Sequence, residues 1–165
     1  MLSPLIKRLS CVGMAVVVLF LPTMSWSHGS THGKLTIDHP YGVVSHEPPA
    51  VSVYFREFAN RGQQTYRLIG AQTAVANQVT FKTETHTPEH VTQWVSIESI
   101  TIKPNAAVLF RHNHKQGYRI ELTDLAKPLK DGDKFDLNLI FEDGERTTVD
   151  VWIQTPRLGK KPHAH

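Results

Sequence analysis

Sulfur is nearly absent from this chain. Its one cysteine, Cys11, and its three methionines, Met1, Met14 and Met24, all fall at the extreme N-terminus, and no later residue carries sulfur. From residue 25 onward this excludes a disulfide framework, a thiolate nucleophile, and thiolate or thioether metal ligands. There is also no Gly-rich phosphate loop and no nucleophile-elbow serine, so nothing supports an enzyme. Long apolar runs are missing as well. The one candidate, Cys11 to Leu21, falls short of the roughly 20 residues that a membrane-spanning helix needs.

That run reads instead as the core of a secretory signal. Lys7 and Arg8 precede it, Pro22 ends it, and Ser25-Trp26-Ser27 puts small residues at the −3 and −1 positions of a cleavage site. An uncleaved anchor is the alternative. Cys11 precedes the apolar core, so it is not placed as a lipid attachment site. The expected organisation is a signal peptide over 1–27, a short His-containing N-terminus over 28–33, one domain over 34–155, and a Lys/His tail over 156–165. The expected location is the periplasm, with no membrane span after cleavage. Removing 1–27 leaves 16 basic against 15 acidic residues. The high whole-chain pI therefore gives no argument for nucleic acid or for an anionic membrane.

Across 34–155 apolar residues alternate with polar ones. Val51, Val53 and Phe55 alternate with Ser52, Tyr54 and Arg56; Val149, Val151 and Ile153 alternate with Asp150, Trp152 and Gln154. The same period runs through Leu35-Ile37, Tyr66-Leu68, Val79-Phe81, Val95-Ile97, Ile100-Ile102, Val108-Phe110, Ile120-Leu122 and Phe135-Phe141. Turn chemistry separates the runs at Asn60-Arg61-Gly62, Lys103-Pro104-Asn105, Asp131-Gly132-Asp133 and Glu142 to Glu145. The pattern predicts an all-β domain, a sandwich or a barrel. The stretch from Ala71 to Asn77 is the one helical candidate.

Several segments resemble the PCu(A)C-type periplasmic copper chaperone family. They are Leu35-Thr-Ile-Asp-His-Pro-Tyr41, Pro48-Pro49 with Val51 to Phe58, Asn60-Arg-Gly62 with Tyr66 to Ala71, and Leu125-Ala-Lys-Pro-Leu-Lys-Asp-Gly-Asp133 with the strand after it. The resemblance spans about 34–153. It implies a cupredoxin-like (immunoglobulin-like) β-sandwich of about eight or nine strands. It also implies copper binding and delivery to a metalloprotein recipient in the periplasm or its membrane. The family's copper ligands are a His, a Met about eleven residues on, and a later His-x-Met pair. In this sequence the first His position holds Lys82. The Met position holds Trp94, or Gln93 without a one-residue insertion, and the pair falls on Arg119 and Glu121. Arg119 and Glu121 share a strand face. One expectation is an ion-pair cluster of Lys82, Arg119 and Glu121 in place of the metal; the other is three separately solvated charges.

The histidines are the remaining metal chemistry. All ten lie beyond the leader, mostly in pairs: His28 and His32, His86 and His90, His112 and His114, His163 and His165. His112 and His114 alternate so that on a strand their Cα atoms would stand about 6.6 Å apart on one face. Two imidazoles at that spacing can converge on one ion. With His86 and His90, or three His with Glu84 or Glu89, they would suit Cu(II), Zn(II) or Ni(II). The secondary candidates are His28, His32, His163 and His165. His39 reads as structural and His46 as a lone loop residue. The function this points to is a periplasmic carrier or buffer of copper or zinc that uses His loops. The alternative is a metal-free interaction module with a degenerate copper site.

Overall fold

The structure, a computed structural model, describes residues 30–86, 92–110 and 117–155. Eleven strands are present among them: β1 (Ser30–His32), β2 (Leu35–His46), β3 (Pro49–Asn60), β4 (Tyr66–Gln72), β5 (Ala76–His86), β6 (Thr92–Ile97), β7 (Ile100–Ile102), β8 (Ala106–Ala107), β9 (Tyr118–Leu125), β10 (Lys134–Phe141) and β11 (Arg146–Ile153). The count exceeds the expected eight or nine because β1, β7 and β8 are only two or three residues long. β1 and β8 lack the apolar alternation by which the longer strands, and Ile100-Ile102 of β7, were expected from the sequence.

The strands follow one path, β6-β5-β9-β3-β2-β11-β10-β4-β7, with β1 added to β2 and β8 to β3. Every pairing is antiparallel except β11 with β2. The path doubles over, so that Phe81, Val53, Ile120 and Leu122 of one half share a core with Leu137, Leu139, Val149 and Val151 of the other. These are the inward members of the alternating runs, as expected of strands with one solvated face. Phe55, Phe58 and Phe110 add an aromatic centre, with ring centroids 4.9 to 5.2 Å apart.

The family-like segments are the joints of this fold. Asn60, 1% exposed, donates from Nδ2 to the carbonyls of Gln64, Ile102 and Lys103, and its Oδ1 accepts from the Gly62 amide. At Gly62 a Cβ would stand 2.8 Å from Lys34 Cβ, so only glycine fits. In the Lys130–Asp133 turn, the Asp133 carboxylate accepts from the Lys130 amide, and Gly132 donates to the Ile153 carbonyl. His39 sits inside β2 with φ of 48°, at a kink before Pro40.

The helical expectation for Ala71 to Asn77 is not met. Gln72 ends β4 and Ala76 begins β5. The Thr73 hydroxyl donates to the Asp136 carbonyl and the Ala126 amide to the Val75 carbonyl, so the backbone is spent on neighbouring strands.

Candidate functional site

The outward face of β5 and β9 carries the site. Phe81 and Ile120 point into the core, so Lys82, Glu84, Arg119 and Glu121 point outward. Register then sets the neighbours: Lys82 lies opposite Arg119, Thr80 and Ser52 flank Glu121, and Glu84 lies opposite Trp94.

Three of these charges form one network. Lys82 Nζ is 2.5 Å from Glu121 Oε2, and an Arg119 terminal nitrogen is 2.9 Å from Glu121 Oε1. Their side chains are only 12–25% exposed, which separates them from ordinary surface pairs. The Arg119 guanidinium lies 4.4 Å above the Trp94 ring, a cation–π contact. Gln93 precedes Trp94 on β6, opposite Thr85, and so takes the other face of the strand. Trp94, not Gln93, therefore completes the cluster.

Tyr54 is the member that alternation does not reveal. It belongs to the outward set of β3, yet it is 1% exposed. Its hydroxyl hydrogen-bonds to Ser52 and Arg119. Burial raises its pKa above 10.0, outweighing the lowering by those two partners.

Among the described residues, two buried polar atoms on this face have no hydrogen-bond partner, Glu84 Oε2 and Arg119 Nε. Glu84 is 9% exposed. Its amide donates to the Gly117 carbonyl at 2.9 Å, and the Tyr118 amide donates to the Leu109 carbonyl at 2.7 Å. Segment 87–91 leaves from His86 and segment 111–116 rejoins at Gly117. Glu84 and Gly117 thus lie side by side at one end of the β6-β5-β9 sheet.

Of the expected histidine ligands, His86 ends β5 and is exposed, on the same outward face as Glu84. His90, His112, His114, His28, His163 and His165 lie outside the described residues. His32 lies in β1, against Phe141 of β10 and not on β5 or β9. It is 5% exposed, stacked on Phe141 at 4.2 Å, with Nε2 3.3 Å from Asp143 and Nδ1 3.5 Å from Glu145. Among the described residues no three His, Asp or Glu side chains gather as a metal would require. None of their helices is long and apolar enough to cross a membrane.

The chain belongs to the LpqE-like family, whose model, described as "Putative lipoprotein LpqE-like", matches residues 35–153. No curated protein matches it in sequence. Among solved structures it is similar to the copper-bound PCuAC domain from PmoF2, at 25% identity and a TM-score of 0.62 over 78% of this chain and 99% of that one. It shares its fold with the apo PCuAC domain from PmoF1, at 18% identity and a TM-score of 0.64 over 78% and 100%. It also shares it with the Cu(I) form of DR1885 from Deinococcus radiodurans, at 22% and 0.51 over 75% and 82%. The all-β, cupredoxin-like architecture expected from the sequence is that of these domains.

Lys82, Trp94, Arg119 and Glu121, where the resemblance led us to expect the family's ligand positions, do not fit a copper ion. Lys82 and Arg119 bring fixed positive charge, Trp94 offers a ring face already covered by Arg119, and both Glu121 oxygens face cations.

Proposed function

We propose that this chain is an exported copper-handling protein of the PCuAC type, a carrier or buffer and not an enzyme. It holds its cargo on loop imidazoles, not at the inherited position. The observation that carries this reading is the Lys82–Glu121–Arg119 network, which fills the expected ligand positions with compensated charge. The similarity to a copper-bound PCuAC domain supports copper as the cargo. With no sulfur after Met24, the donors left are nitrogen and oxygen, which suit Cu(II) or Zn(II) and not the soft Cu(I). The pairing of Glu84, two residues before His86, with Gly117 supports a site built from His86, His90, His112 and His114. A periplasmic location and a metalloprotein recipient follow from the leader-like N-terminus and the family.

Imidazole binds metal only when neutral, so affinity falls as pH drops through about 6.5. The test is metal content and affinity of the processed chain for Cu(II), Zn(II) and Cu(I) between pH 5 and 8 (about this range brackets imidazole titration). Stoichiometric binding with a steep acid loss is expected. A second reading, a metal-free interaction module, is favoured by the same network, since its charges satisfy one another. It would be established by the absence of stoichiometric metal.

A further inference from the structure

Of the two strands that end the sheet path, β7 is three residues long and β6 is six. Among the described residues β6 pairs with β5 alone. Natural edge strands are guarded against pairing by a charge, a proline, a bulge or shortness. β6, Thr92-Gln-Trp-Val-Ser-Ile97, carries no charge and no proline, and its register with β5 runs unbroken from Thr92 to Ile97. Val95 in its middle is 40% exposed.

The ladder fixes which backbone groups of β6 are free. The Glu84 amide donates to the Gly117 carbonyl, so Glu84 turns its backbone groups toward β9. The Tyr118 amide, opposite Thr83, donates to Leu109, so Thr83 is in the other phase. Antiparallel pairing alternates, and Thr85, Thr83 and Phe81 therefore bond toward β6, to Gln93, Val95 and Ile97. The N–H and C=O groups of Trp94 and Ser96 are left pointing off the open edge.

We propose that this edge is a self-association surface, β6 pairing antiparallel with β6 of a second copy of the chain across a two-fold axis. Charge selects the second copy as the occupant. Self-pairing sets side chains close to their own copies, where a charge would be repelled by its twin. β6 has no charge to repel. Pairing centred on Val95 puts Trp94 of each copy opposite Ser96 of the other, and each such pair exchanges both of its hydrogen bonds. The two exposed valines then cover one another at the axis. The sheet runs on from one copy into the next, with the Trp94–Arg119 contact beside the seam.

Sedimentation of the processed chain over a concentration series is expected to show a dimer. Ser96→Pro removes an amide that points off the edge and spares the β5 ladder. The variant should stay folded by circular dichroism and dimerise more weakly by about tenfold or more, since the two-fold loses the bond twice. Val95→Glu and Val95→Lys each set like charges face to face at the axis. Each should be monomeric alone, and the two mixed should form a heterodimer. Amide hydrogen exchange at Trp94 and Ser96 should slow as the dimer forms. A wild-type chain that stays monomeric overturns the proposal. Slow exchange at those amides would then mean that another segment of the same chain covers the edge, and fast exchange that the edge is open to a different protein. A dimer unchanged by folded Ser96→Pro and by the Val95 variants overturns it as well.

Discussion

Glu121 is the hinge of the charged network, and Glu121→Gln tests whether that network is real in solution. The substitution keeps shape and removes the charge facing Lys82 Nζ at 2.5 Å and Arg119 at 2.9 Å. Both cations then remain on a face where their side chains are 25% and 19% exposed, with no compensating charge among the contacts they make now. Breaking a buried pair costs about 3–5 kcal/mol, whereas an exposed pair is worth about 0.2–1 kcal/mol. This exposure places Glu121→Gln at the low end of the buried range, about 3 kcal/mol. For a domain of this size that corresponds to a melting point lower by about 10 °C. The triple variant Lys82→Leu/Arg119→Leu/Glu121→Leu, which removes all three charges together, should recover most of the loss. Urea denaturation followed by circular dichroism reads both effects. A single-variant loss of about 0.5 kcal/mol or less would show three separately solvated charges and refute the reasoning.

Tyr54 should ionise late, because burial raises its pKa above 10.0. A raised folded value means that its contribution to stability is complete below pH 10.0 and is lost as pH rises through the folded value. Ultraviolet titration should show a tyrosine step above pH 10.0, and Tyr54→Phe should remove both that step and its part of the alkaline stability loss. Asn60→Ala deletes three donated hydrogen bonds and one accepted bond at a 1% exposed position. It should cost at least about 3 kcal/mol in denaturant titration, since the carbonyls and amide left behind are largely buried; a loss under about 1 kcal/mol would mean that water replaces the side chain.

The fold was legible where alternation and turn chemistry agree. Val51-Val53-Phe55, Ile120-Leu122 and Val149-Val151-Ile153 are inward as their period requires. An ion-pair cluster of Lys82, Arg119 and Glu121 was one of the two readings the sequence left open, and these side chains do meet, with Trp94 against Arg119. Alternation assigns a face, however, and does not say what covers it. Tyr54 and Glu84 both fall in the polar phase of their strands and are nonetheless buried, one beside Arg119 and the other opposite Trp94. His32 likewise gives no local sign that it stacks on Phe141, 109 positions away in the chain. Ala71 to Asn77 misled because Ala and Gln favour helix, while pairing of β4 with β10 and β5 with β9 overrides that preference.

The central claim is that nitrogen has replaced sulfur as the cargo's ligand, at a place beside the inherited one. Cu(II) titration of the processed chain against His86→Ala/His90→Ala and His112→Ala/His114→Ala tests it most directly. Each double variant should lose most of its affinity, while Lys82→Leu keeps it. Undiminished Cu(II) binding in both histidine variants would contradict the account, as would Cu(I) bound more tightly than Cu(II) by the wild type.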